Sequence, residues 1–125
     1  MAAVGIYCTL DDVQYKAGVK ASATSKAEAY VTIYVGMAEA VINVACRRIF
    51  AVDATAFSAL PTGTRKILSD AASNLAAIYV INFDLSGFTT RLEAEDMVNI
   101  LRDAFLRDLA ILKEKEHQTF LVTGA

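Results

Sequence analysis

The chain has 125 residues and a formal net charge of -2, with 55% hydrophobic and 21% charged residues. That length is one domain's worth, near the small end for a self-supporting core, and the charge excludes a basic footprint for grasping nucleic acid. The apolar share exceeds the usual one even though the usual count includes glycine, and surplus apolar surface generally means an interface.

The segment Met1 to Cys8 is an apolar, partly β-prone arm. It has no basic region ahead of its apolar residues, so no signal peptide is expected and the protein is expected to be made in the cytoplasm. Thr9 offers a helix cap with Asp11 and Asp12 in the first turn, where carboxylates favour the positive end of the helix dipole. A short helix from Leu10 to about Ala17 follows, ended by Gly18, and Lys20 to Thr24 form a connector.

The stretch from Ser25 to about Phe50 reads as one long helix around which the rest is organised. Ser25 and Glu28 stand in capping-box spacing, the serine oxygen accepting a backbone N–H and the glutamate reaching back. Thr32, Gly36, Glu39, Asn43 and Arg47 recur at three or four residues and form one narrow polar stripe. The rest of the circumference carries two apolar rows. One holds Ala27, Tyr30, Val31, Tyr34, Ala38, Val41, Ile42, Ala45 and Ile49, and the other Ala29, Ile33, Met37, Ala40 and Val44. One row serves a small core; the second asks for neighbouring subunits or lipid.

Residues 51–59 read as an irregular loop or a short hairpin arm. Pro61 fits the first turn of the next helix, which runs to about Asp84. In its first half Arg65, Lys66, Ser69, Asp70, Ser73 and Asn74 are expected to be exposed, whereas Leu75 to Ile81 must be enclosed. Ser86 and Gly87 stop it, and Thr90 with Glu93 repeats the capping-box spacing. The last helix runs to about Glu116, with Ala94, Met97, Val98, Leu101, Phe105, Leu109 and Leu112 on its core face and an Asp103–Arg107 pair on a solvated one. In the tail, Thr119 to Thr123 favour an extended strand. The expected fold is a single all-α domain of about four helices, one short and three long: arm 1–8, helical core 9–116 and extended tail 117–125.

Chemistry is sparse. His117 sits just past a helix end and reads as solvated, since a metal site needs several convergent ligands. No H-E-x-x-H, G-x-S-x-G or glycine-rich phosphate loop occurs. Cys8 and Cys46 read as buried reduced thiols, with a disulfide between them left open. Glu39 is either a member of the polar stripe, the favoured reading, or a buried acid with a shifted pKa. No catalysis, metal or cofactor is expected.

For the second apolar row, Ala27 to Ala45 approaches the roughly 20 residues needed to span a bilayer. Glu39 and Asn43 interrupt it, and a charge near the middle costs at least about 2.5–3.5 kcal/mol that alanine does little to offset. The apolar run Leu75 to Ile81 is too short to span. Protein neighbours are therefore favoured over a holin-like membrane hairpin, and no membrane partner is expected. The residues expected at the contact between copies are Tyr30, Ile33, Tyr34, Met37, Ala40 and Val44; a head-to-tail contact would close a ring.

The order of parts also resembles a known family. A short helix opened by Tyr7-x-Thr9-Leu10-Asp11-Asp12 precedes a long helix with aromatic and small residues, Tyr30 to Arg48. A loop ending in Pro61 leads to Ala71-Ala72-x-x-Leu75-Ala76-x-x-Tyr79, and the last helix has closely spaced leucines from Leu101 to Leu112. This pattern is similar to the head-to-tail connector (adaptor) proteins of long-tailed bacteriophages. One departure is that the last helix runs through Lys113 to Glu116 without a glycine near its end.

The resemblance implies a virion structural protein of the neck region, assembled in the host cytoplasm, whose subunits are small helical bundles in a ring, usually twelve-fold. The ring binds the portal protein above and a neck or tail protein below, extends the DNA channel, and has no catalytic residues. Thr119, Phe120, Leu121, Val122 and Thr123 would then dock on the portal by β-augmentation. Copies each at -2 make no basic clamp through net charge, so genomic DNA would pass without sequence-specific binding. Which acid faces the channel, Asp53, Glu93, Glu95 or Asp96, is left open. A tail-completion or neck protein of the same particle is a further alternative.

Overall fold

A computed structural model describes residues 5–18, 26–47, 49–83 and 91–113. They form α1 (Leu10–Ala17), α2 (Glu28–Cys46), α3 (Ala54–Ser58), α4 (Thr62–Phe83) and α5 (Arg91–Lys113). The described residues are all-α, with no strand among them.

At α1 the expected cap is in place. The Asp12 N–H donates to Thr9 Oγ1 at 3.3 Å, while the Thr9 N–H donates to Asp12 Oδ2 at 3.0 Å. Both orphan donors are thereby satisfied. Gly18 ends the helix at φ 83°, a left-handed value that glycine adopts without penalty.

The start of α2 differs from expectation. Ala27, in extended conformation, is the cap residue and makes no side-chain cap hydrogen bond, so Glu28 opens the helix instead of closing a capping box. Ser25 lies outside the described residues. A local cause is visible at Lys26, whose carbonyl accepts from Gln14 Nε2 at 2.8 Å and whose Nζ donates to the Gly18 carbonyl at 3.1 Å. Lys26, the residue before the cap, is thus tied to α1 and to Gly18 at its end. At its other end α2 stops at Cys46 because Arg47 turns left-handed, at φ 54°, and the following Phe50 and Ala51 are buried.

Residues 54–58, expected as loop or hairpin arm, form the single turn α3. Asp53 caps it, accepting from the Ala56 N–H at 2.7 Å. Pro61 stands one place before α4 rather than within it, and its carbonyl takes the first bond of that helix, from Arg65 N at 3.0 Å.

The core is built on α4, which packs against α1, α2 and α5. Leu68, Ala71, Ala72, Ala76, Ala77, Val80 and Ile81 are wholly enclosed; α2 supplies Val31, Val35, Ala38, Ile42 and Cys46, and α5 supplies Ala94, Leu101, Phe105 and Leu112. The stretch from Leu75 to Ile81 is covered along its length, as its composition requires. Ser73 and Asn74, expected to be exposed, are buried, since α1 and α5 as well as α2 lie on this helix.

Outside the helices, the arm at Gly5–Cys8 crosses α2. The Tyr7 N–H donates to Glu39 Oε2 at 2.7 Å, its hydroxyl donates to Asn43 Oδ1 at 2.6 Å, and its ring lies 5.9 Å from that of Phe57. Gly5 is required by close approach: a Cβ there would run into Val35 Cγ1 and stand 2.7 Å from Glu39 Oε2. Gly36, by contrast, is exposed within α2 with nothing within 4 Å of its absent Cβ. Gly5→Ala should therefore cost about 1–3 kcal/mol by overpacking, and Gly36→Ala should add about 0.5–1 kcal/mol of helix stability. Urea midpoints moving in opposite directions would show both.

Candidate functional site

The helical period decides what α2 leaves uncovered. With Val31, Val35, Ala38, Ile42 and Cys46 turned inward, residues 33, 37, 40 and 44 point away. Ile33 is 58% exposed, Met37 43% and Val44 77%; Tyr30, Ala40 and Val41 are exposed beside them. Ala40, Val41, Val44 and Ala45 line a shallow, open apolar depression. The only charged residue between Glu28 and Arg47 is Glu39, which the arm holds on another side of the helix. Past the helix end, Ile49 and Val52 are also exposed.

Of the six residues expected at a contact between copies, Tyr30, Ile33, Met37, Ala40 and Val44 are exposed together on α2. Tyr34 is half-buried, its ring 6.0 Å from that of Tyr79 on α4, and so belongs partly to the core. Thr119 to Thr123 and His117 lie outside the described residues. Among the four acids left open for a channel, Asp53 is occupied as the α3 cap, whereas Glu93, Glu95 and Asp96 lie on α5.

The polar stripe of α2 is solvated only in part. Thr32, Gly36 and Arg47 are exposed, but Glu39 and Asn43 lie half-buried under the arm. Burial raises the Glu39 pKa, and the N–H groups of Tyr7 and Ile6 work against that rise. The buried-acid reading therefore describes Glu39 better than the stripe reading, and its work here is to hold the arm. Burial likewise pushes the Cys8 thiol up to about 12, helped by Glu39 and Asp12. A thiol so raised is protonated and inert at neutral pH. Cys8 and Cys46 are both free and buried.

A second polar group, which sequence reasoning missed, joins α1, α4 and α5. Lys16 Nζ bonds Asp70 Oδ1, and also donates to Asn74 Oδ1 at 2.8 Å; Asn74 Nδ2 donates to Asp70 Oδ2 at 3.1 Å. Arg107 does not serve a merely solvated face: its guanidinium lies 3.6 Å from Asp70 Oδ2 and 3.5 Å from Asp108 Oδ1. Asp108 is only 4% exposed. Burial, then the neighbouring Asp70 carboxyl, push its pKa up to about 7. Burial opposes ionisation of Asp70 too, but hydrogen bonds with Asp108 and Lys16, then the charges of Lys16 and Arg107, carry it below its ordinary value. The signal in the sequence was an Asp at the i+3 position from the core residue Phe105, directly after an Arg.

A groove of about 560 Å³ also opens between the arm, α1, α3 and α4, lined by Tyr7, Cys8, Phe57, Lys16, Arg65 and Ser69 among others. Its polar groups are largely engaged: Lys16 with Asp70, Ser69 Oγ with Asp12 at 3.3 Å, and Arg65 with Thr62 Oγ1 at 3.1 Å. Among the described residues no three His, Cys, Asp or Glu side chains gather as a metal site. No family model, no curated protein and no solved structure matches the chain.

Asp108 makes the fold pH-sensitive with a definite sign. Its folded pKa lies above the unfolded value of about 3.9, so it favours the fold in its protonated form. That contribution is present at low pH and lost as pH rises through about 7. Asp108→Asn should therefore melt higher than the native chain at pH 8, and the gap should narrow by pH 5. Calorimetric scans across that range would show it, and a constant gap would contradict this role.

Proposed function

We propose that the chain is a self-assembling, non-enzymatic structural module, a small helical bundle that joins copies of itself and larger partners through uncovered apolar helix surface. The observation that supports this reading is the outer face of α2, where Ile33, Met37, Ala40 and Val44 stand exposed with no charged residue among them. Each such large side chain contributes about 1.5–3 kcal/mol when fully covered. A free monomer gains nothing from leaving them bare.

Within this class the reading is a head-to-tail connector of a long-tailed bacteriophage: a ring, twelve-fold by the family resemblance, beneath the portal, carrying the DNA channel toward the neck or tail. Its place is the virion neck, with Thr119 to Thr123 as the segment that docks on the portal. A tail-completion protein at the same neck would share this surface and differ in its partner.

One observation favours a second reading. Among the described residues α2 alone is long and apolar enough to cross a membrane, and only 28% of its most apolar window is buried. Against this stands Glu39 near its middle, bound to the arm. Light scattering after size exclusion in detergent-free buffer, with the chain alone and mixed with a candidate portal, separates the two. A soluble species that joins the portal is expected; recovery from membranes only with detergent would turn the reading to a lysis-type hairpin. Deleting residues 118–125 should abolish portal binding while helical circular dichroism is kept, and unchanged binding would remove the docking role from the tail.

A further inference from the structure

A head-to-tail ring needs two different surfaces on each copy, and the proposed function assigns one of them to α2. A second exposed stripe runs along α5. There Leu92, Asp96, Ile100, Asp103 and Leu106 follow one another at steps of four, four, three and three residues, and all are exposed. Leu92 is 66% exposed, Ile100 69% and Leu106 51%. These residues form one stripe on the side of α5 turned away from Leu101, Phe105 and Leu112. Its apolar members are separated by carboxylates, whereas the α2 face has none.

We propose that the outer face of α2 packs on the outer face of α5 of a second copy of this chain, giving a heterologous contact that can propagate around a ring. The inference deepens the adaptor reading and rests on it for self-assembly.

Pitch and charge support the pairing. Ile33, Met37, Ala40 and Val44 step by four, three and four residues along about 16 Å of helix, and the α5 stripe extends about 21 Å. Set Val44 against Ile100, the most exposed apolar side chain of each stripe. In a parallel pair Arg47, exposed at the end of α2, then comes beside Asp103, and Ala40 beside Asp96. In an antiparallel pair Arg47 comes beside Asp96, and Ala40 beside Asp103. Either direction gives the cation a carboxylate and leaves the other carboxylate over the smallest residue of the face. An α2–α2 contact would bring together two faces with no carboxylate between them and leave Arg47 unmatched. Head-to-tail contacts of two unlike surfaces close into rings when the rotation permits.

The test uses Val44→Glu and Ile100→Glu in the full chain. Both positions are exposed, so each variant should keep its helical circular dichroism. Each alone should lose the wild-type oligomer by light scattering, having one spoiled surface. Mixed in equal amounts they should form one-to-one dimers, because the first retains its α5 face and the second its α2 face. An Ile100→Glu chain that still assembles like wild type, or a mixture that stays monomeric, would overturn the proposal.

Cross-linking gives a second measurement that does not depend on charge. Val44→Cys and Ile100→Cys in separate copies should form a mixed disulfide on oxidation, since native Cys8 and Cys46 are buried. Homodisulfides of the Val44→Cys chain alone would point to α2–α2 pairing and refute the proposal. A wild-type chain that is monomeric at its highest soluble concentration but binds the portal overturns this inference while the adaptor reading stands. Binding of the wild type to phosphatidylcholine vesicles, lost in Val44→Glu, would overturn both.

Discussion

The constraint on which the molecule depends is that α4 is enclosed by three other helices. A helix surrounded in this way can carry little bulk toward its neighbours, because the distance between packed axes is set by the side chains at the contact. Ala71, Ala72, Ala76 and Ala77 meet that requirement, and all four are wholly excluded from solvent. With the centre of the core occupied by α4, each of α1, α2 and α5 can turn only one side inward. Their other sides are what remains for function.

Enclosure also explains why polar chemistry lies inside. Ser73 and Asn74 fall on a stretch of α4 that would be solvated in an amphipathic helix with one neighbour, and here they are buried. Asn74 is bonded to Lys16 and Asp70, so its burial is compensated. Asp108 is not fully compensated, as its Oδ2 is enclosed without a hydrogen-bond partner. A polar network with one unsatisfied member is a weak point in a low-dielectric interior. It is also specific: Lys16, Asp70, Asn74, Arg107 and Asp108 can meet only when α1, α4 and α5 lie in one register.

Much of the helix order was legible in the residues. Thr9 with Asp12, Gly18 after Ala17, and the unbroken apolar run at Leu75 to Ile81 each point to a single local structure, because capping and burial act within a few residues. The double apolar row of α2 was legible too, since periodicity reports which residues share a face. It does not report what lies opposite that face. For this reason Glu39 and Asn43 looked like solvated stripe, although Tyr7, more than thirty residues earlier, reaches both. Asp108 was hidden for the same reason: its partners Lys16 and Asp70 come from two other helices.

The outer face of α2 has a consequence for stability as well as for partnership. Inside, the helix buries two valines, one isoleucine, one alanine and one cysteine; outside, Ile33, Met37, Val41 and Val44 present comparable apolar bulk to water. Covering the outer row on association would thus add a hydrophobic term of the same order as the one that holds α2 to α4. A contact made only by the folded chain shifts the folding equilibrium by mass action. In an isolated copy α2 is secured by its inward row and by the arm through Tyr7. In an assembly of the kind proposed, the same helix would be held from its outer side as well. The surface proposed to recruit a neighbour would then also add to the stability of the fold.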